Sequence, residues 1–198
     1  MSEEKKIHIT AEPQAIPSNC LFRVDRSLHV GSLYVSDKDW AKTWSPLAAA
    51  LFDALEDLKG VRVSGTEVLI SMASVPRDWR EVARTGGSTI RTFLDQSSEV
   101  FKPGAVEALE GHDLMRNKAQ VIIDDTLNPG LASHGGWVEI QASDDKDLFI
   151  SMGGGCQGCG SAATTMKQGV EVAIRNEVPE IEGIHDATDH AAGVNPYM

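Results

Sequence analysis

Apolar-rich segments separated by polar positions in the first half of the chain predict several β-strands. Short apolar segments at residues 20–24 and 28–30 have the composition of strands. Residues 61–72 form two further apolar runs, and Gly65 lies between them. Because glycine between two such runs is typical of a tight turn, we predict a β-hairpin here.

Two helices are predicted in the same half. Ser45 followed by Pro46 is typical of an N-cap and a first helical residue. The helix is predicted to run through apolar positions at helical spacing and to end at Gly60. Those positions are Leu47, Leu51, Leu55 and Leu58. A second helix is predicted to start near Asp78.

The second half predicts helices around a β-hairpin. A helix is expected over residues 113–125, and Pro129 should kink or restart it. Residues 137–142 alternate, a polar turn follows at residues 143–147, and residues 148–152 have the composition of a returning strand, which predicts a hairpin. A last helix is expected over residues 161–179, and residues 181–185 have the composition of a third strand.

A polar segment with a Pro-Gly pair, residues 95–106, interrupts the pattern and is our candidate linker. We therefore predict an α+β protein of two small α/β domains, residues 7–95 and 105–192.

Charge and hydrophobicity exclude several classes of function. The 198-residue chain has a formal net charge of −11, whereas nucleic-acid binding needs Lys and Arg to neutralise phosphates. No apolar stretch approaches the roughly 18 residues of a membrane span. The start of the chain lacks a secretory signal and carries Glu3 and Glu4, unlike a transit peptide. We predict a cytoplasmic protein without nucleic-acid or membrane partners. A processed organelle protein whose leader is missing is the alternative.

The most informative chemistry is a pair of cysteines. The chain has three cysteines, and Cys156 and Cys159 form a C-x-x-C motif on a glycine-rich loop between a predicted strand and helix. Two thiolates at this spacing can chelate one metal ion or hold two corners of a cluster. Cys159 falls at the predicted helix N-terminus, where the helix dipole favours thiolate.

Counting ligands leaves three classes of site open. An iron–sulfur cluster or a closed zinc site normally takes four cysteine ligands, so a second copy of the chain would have to supply two. A thiol–disulfide oxidoreductase would use the pair within one chain. Against that class, three glycines precede Cys156 and the motif lies late in the chain.

Four ordered motifs carry a resemblance to a known family. The chain resembles the C-terminal domain of the NifU/Nfu iron–sulfur scaffolds over about residues 113–192. The motifs are residues 128–140, 153–159, 165–171 and 178–184. The resemblance implies a [4Fe–4S] cluster that bridges two subunits through Cys156 and Cys159, so the holo form would be a homodimer.

The resemblance also implies a function that is not enzymatic. The protein would receive a cluster from an upstream assembly scaffold and pass it to client apo-proteins. Much of the family has Asp-Gly-Gly where this chain has His134-Gly135-Gly136, and the histidine form resembles the NfuA-type branch. The first half is similar, more loosely, to the N-terminal domain of mitochondrial-type Nfu proteins, and this resemblance implies that it recognises clients. The residues that carry it are 45–48, 51–52, 60–61, Gly65 and Trp79. The alternative function is a thiol–disulfide oxidoreductase, followed by a structural zinc dimer.

Other residues whose side chains could bind a metal or react are expected to be structural. Cys20 lies in an apolar segment and is interpreted as a small buried hydrophobe, and His134 as a turn residue. The four tryptophans are expected in cores or interfaces. A polar tail explains the remaining carboxylate and imidazole groups as well as a metal site would; these are His185, Asp186, Asp189 and His190.

Overall fold

The computed structural model describes residues 6–14, 16–133, 135–154 and 160–187, with the backbone alone at 160–167. The chain divides into two compact units, residues 1–109 and 110–198, each built from helices and a sheet. The α+β prediction is therefore confirmed. Our candidate linker, residues 95–106, lies within the first unit.

The first unit contains one five-stranded antiparallel sheet in the order β1-β2-β5-β4-β3. Its strands are β1 (Ile9–Pro13), β2 (Asn19–Val24), β3 (His29–Val35), β4 (Leu58–Gly65) and β5 (Glu67–Met72). Its helices are α1 (Lys38–Trp44), α2 (Pro46–Ala54) and α3 (Trp79–Gln96). The β4–β5 hairpin turns at Gly65 as predicted, whereas β1 and α1 were not predicted.

Side-chain caps define where these helices begin. The Asp37 carboxylate accepts the first free amides of α1, and the Ser45 hydroxyl accepts the Ala48 amide of α2. Asp78 caps α3 in the same way, as its sequence position predicted. The prediction that the leucine helix continues to Leu58 was wrong, because that residue begins strand β4.

The core of the first unit lies between the sheet and its helices. Residues after α3 contribute to it: Val100 is buried, and its carbonyl accepts a hydrogen bond from the buried Ser45 hydroxyl at 3.0 Å. This contact explains why the polar segment after α3 packs with the first unit. In the described part of the chain, no helix is both long and apolar enough to cross a membrane.

The second unit packs helices on a three-stranded sheet in the order β6-β7-β8. The strands are β6 (Gly136–Asp144), β7 (Asp147–Gly154) and β8 (Gly183–Asp186). The helices are α4 (Gly111–Ile122), a π-helical segment (Ile123–Leu127), α5 (Asn128–Ala132) and α6 (Gly160–Glu177). Pro129 restarts the helix as predicted, and the π-helical segment joins α4 to α5 directly.

Pairing in this sheet is antiparallel between β6 and β7 and parallel between β7 and β8. A bulge between Ile140 and Ala142 shifts the β6–β7 register by one residue. The buried guanidinium of Arg116 on α4 lies near this bulge. It donates to the Ser143 hydroxyl at 2.8 Å and is 3.5 Å from the Ile140 carbonyl.

Candidate functional site

The two cysteines predicted as ligands, Cys156 and Cys159, lie outside the described residues, as does His134. The structure does define what surrounds their loop in sequence. Strand β7 ends at Gly154 and helix α6 begins at Gly160, so residues 155–159 connect a strand to a helix.

Gly153, near the end of β7, is covered by a tryptophan from the neighbouring strand. Trp137 pairs with Gly153 in the β6–β7 register. A Cβ atom at Gly153 would lie less than 3.0 Å from three atoms of the Trp137 indole. The indole can occupy that space only because residue 153 has no side chain. Trp137 itself remains 43% exposed.

Gly154, the last residue of β7, is required for two separate reasons. Its φ of +64° lies in the left-handed region that favours glycine. A Cβ atom there would also collide with the backbone carbonyl oxygen of Gly135. Close packing therefore explains the first two glycines of the run at residues 153–155.

The partner strand β6 is fixed at its start by a side chain from α5. The Asn128 amide nitrogen donates to the Val138 carbonyl at 3.0 Å, and its oxygen accepts from the Val138 N–H at 2.8 Å. The Asn128 amide therefore pairs both backbone hydrogen-bonding groups of Val138, as a neighbouring strand would. Trp137 is the adjacent residue, so Asn128 holds the segment that covers Gly153.

Cys20 lies in the core of the first unit, as expected. It is only 4% exposed and belongs to the apolar cluster beneath the sheet. Burial raises the pKa of its thiol from 9.0 to about 11. A buried thiol with a raised pKa is a poor metal ligand, because the thiolate is the form that binds.

The polar residues near the end of the chain are only partly described. The His185 ring stacks on Phe149 with centroids 5.0 Å apart, and its Nε2 lies 3.4 Å from an Asp147 carboxylate oxygen. Asp189 and His190 lie outside the described residues. Within the described ranges, no group of three or more His, Cys, Asp or Glu residues is placed to hold a metal ion.

Two of the other tryptophans have structural hydrogen bonds within the first unit. The Trp40 indole donates to the Ala108 carbonyl at 2.9 Å, and the Trp79 indole donates to the Pro17 carbonyl at 3.0 Å. Both rings also pack against the apolar core. These contacts agree with the expectation that the tryptophans are structural.

Comparisons with known proteins place the chain in a family. The family model for the NifU-like domain matches residues 120–185. The Fe/S biogenesis protein NfuA of Xanthomonas oryzae is 35% identical over 161 residues, covering 78% of this chain and 80% of the relative. The protein of the same name from Vesicomyosocius okutanii is 42% identical over 163 residues, covering 81% and 76%. The chain belongs to the NfuA family.

The matches to NfuA proteins extend across both units, because they cover more of the chain than the second unit contains. A shorter match, to NfuA of Ruthia magnifica, is 42% identical over 85 residues, or 42% of this chain and 44% of that protein. A NifU-like protein from Saccharomyces cerevisiae, solved by NMR, is 15% identical with a TM-score of 0.46 and covers 52% of this chain and 91% of that one.

Within the NfuA family assignment, the region matched by the NifU-like domain contains both candidate cysteines. The glycines of β7 and the Asn128 amide lie in the same region. Sequence reasoning found the cysteines from their spacing but missed Trp137 as the residue that covers Gly153. A glycine opposite a tryptophan in a hairpin is the signal that would have shown it, once the register is known.

Proposed function

We propose that this protein is an iron–sulfur cluster carrier. It binds a [4Fe–4S] cluster between two subunits through Cys156 and Cys159 and passes the cluster to client apo-proteins. The observation that carries the proposal is membership of the NfuA family together with a NifU-like match that includes both cysteines. The proposed role is assembly and carriage in the cytoplasm, without turnover of a substrate.

The number of available thiols supports a bridged site. The chain has three cysteines, and Cys20 is buried in the other unit with a raised pKa. Each chain therefore offers two thiols at the loop, whereas a [4Fe–4S] cluster takes four cysteine ligands. Two copies of the chain supply all four across a two-fold axis.

The ends of the loop support this role as well. The β7 end is held by Gly153 and Gly154 in close packing, so the chain leaves the strand at a fixed point. The other end is the N-terminus of α6, whose dipole favours thiolate at the adjoining Cys159. A thiolate of low proton affinity binds iron and can also be replaced on the iron by a client's thiolate, as cluster transfer requires.

Anaerobic reconstitution with iron and sulfide tests the ligand assignment. Cys156→Ser and Cys159→Ser are each expected to lose the cluster while circular dichroism stays unchanged. Cys20→Ser is the matched control and should load iron like the unmodified chain. Full iron and sulfide content in Cys156→Ser would contradict the assignment.

Sedimentation separates the carrier from the thiol–disulfide oxidoreductase. If two chains share one cluster, binding favours association by mass action, and the holo form should be dimeric where the apo form is largely monomeric. Removing the cluster with a chelator should return the apo distribution. An oxidoreductase would show no such link, because its cysteine pair works within one chain. A monomeric holo form with a complete cluster would rule out the bridged site.

A further inference from the structure

A groove on the first unit lies between the edge strand β1 and helix α3. We call it the β1–α3 groove. Its volume is about 210 Å³, below the roughly 300–1,000 Å³ of most small-molecule sites. Ile9, Ala11 and Phe22 line it from the sheet, and Gly87 lines it from the helix. An opening of this size and lining suits one apolar side chain better than a whole small molecule.

Glycines in α3 bring the helix close to the sheet at this groove. A Cβ atom at Gly86 would lie 2.8 Å from the Phe22 ring, and one at Gly87 would lie 3.7 Å from it. Gly86 is therefore required by packing, whereas Gly87 leaves ordinary contact distance open to the groove. The fully buried Phe22 ring forms a rigid apolar floor.

Strand β1 presents free backbone groups beside the groove. It is a terminal strand of the sheet in the described part of the chain. The Asp25 N–H donates to the His8 carbonyl at 3.1 Å, so His8 faces β2. Because facing residues alternate along an antiparallel strand, the N–H and C=O groups of Ile9 and Ala11 point away from β2. An extended peptide can pair with that edge.

Two arginines define the charge of the groove. Arg84 and Arg91 both line it from α3 and are separated by two helical turns, roughly 10.5 Å along the axis. Arg91 Nε is 3.4 Å from the Ile7 carbonyl. Among the described residues, neither guanidinium lies within 4.0 Å of a carboxylate, although the chain carries a net charge of −11. The groove is thus a cationic site on an acidic protein.

We propose that the β1–α3 groove binds an extended acidic segment of a client protein by adding it as a strand to β1. An apolar side chain of the segment fills the pocket over Phe22, and carboxylates on either side of it pair with Arg84 and Arg91. In an extended chain, residues four apart lie on one face about 13 Å from each other, within reach of the two flexible arginines. The inference rests on the proposed carrier function for its client, and it makes the first unit a recognition module.

Calorimetric titration of the apo form of the 198-residue chain tests the groove. The probe is a synthetic peptide with the core Glu-Thr-Leu-Thr-Glu, and the control peptide replaces both Glu residues by Lys. The acidic peptide should bind, and its affinity should fall as the salt concentration rises. The Lys peptide should not bind. Arg84→Glu combined with Arg91→Glu should lower the affinity for the acidic peptide by about tenfold or more. Arg80→Glu, an exposed arginine of the same helix outside the groove, should stay within about twofold.

Two further measurements separate strand addition from simple anion binding. Ala11→Pro removes an N–H from the free edge of β1, a position where proline is tolerated. It should lower the affinity for the acidic peptide as much as the double arginine variant does. Inorganic phosphate at the peptide concentration should not displace the peptide. Equal binding of the Lys peptide, displacement by phosphate, or unchanged affinity in either variant would overturn the proposal.

Iron content distinguishes this inference from the carrier function itself. The Arg84→Glu, Arg91→Glu protein should load the same amount of iron as the unmodified chain, because its cysteines are untouched. A protein that fails to load any cluster would refute the carrier function, and the peptide titration on apo protein would still decide the groove.

Discussion

Replacing Gly153 by Ala should destabilise the second unit through a collision with one side chain. The new Cβ atom would lie less than 3.0 Å from the Trp137 indole. The indole must rotate outward, which its 43% exposure allows, but its packing on β7 is then lost. Inserting a methyl group into such a contact costs about 1–3 kcal/mol. Gly153 does not have a left-handed backbone, so alanine introduces no strain of its own.

The collision predicts a specific rescue. In a Trp137→Ala background the three closest obstacles to this Cβ atom are gone, so Gly153→Ala should no longer destabilise the hairpin. It should even gain roughly 0.4–1 kcal/mol, because alanine restricts the unfolded chain. The coupling free energy between the two positions should therefore be about 1.4–4 kcal/mol, the difference between that cost and that gain. Gly154→Ala is the control, because its obstacles are the Gly135 carbonyl and a φ of +64°, which Trp137→Ala does not relieve.

Hydrogen exchange of β6 and β7 amides in the full chain measures this free energy within the second unit alone. Mass spectrometry of the three single and two double variants gives the change in opening free energy at the hairpin. Unchanged protection in Gly153→Ala would refute the packing argument. So would a Trp137→Ala background that rescues Gly154→Ala as fully as Gly153→Ala.

Two further predictions concern buried polar groups. Because burial raises the pKa of Cys20 to about 11, its thiol contributes stability that is complete below pH 9.0 and lost as pH rises through about 11; Cys20→Ala should flatten this part of the urea-unfolding pH profile relative to the unmodified chain, and identical slopes would argue against it. Asn128→Ala should lower hairpin protection in hydrogen exchange by about 1–3 kcal/mol, because both backbone groups of Val138 lose their partner; equal protection would show that water replaces the amide.

Local signals predicted much of the fold. Ser45, Pro46 and Asp78 marked helix starts because capping depends on neighbouring residues alone. The helix end was missed because Leu58 continues the leucine spacing but belongs to β4, which pairs with strands on both sides. Gly60 was interpreted as a helix stop, yet it lies within β4 where the Tyr34 side chain leaves no room for a Cβ atom. Such pairing between distant segments overrides local periodicity.

The candidate site also has one part that the local sequence could predict and one part that depends on strand pairing. Cys156 and Cys159 could be proposed from spacing, because ligand chemistry needs only the right atoms at short separation. The contact of Trp137 with Gly153 depends on a one-residue bulge in β6 between Ile140 and Ala142. Without that bulge the tryptophan would face a different residue of β7, so no local pattern could predict the contact.

The placement of the tryptophans makes the protein its own optical reporter. Three of them lie in the first unit and only Trp137 lies in the second. Its ring contacts Gly153, and the three residues from there to Cys156 span at most about 11 Å. A cluster bound at Cys156 would quench the fluorescence of this indole by energy transfer. With the other three tryptophans changed to Phe, loading and release of iron should be visible in real time without any label.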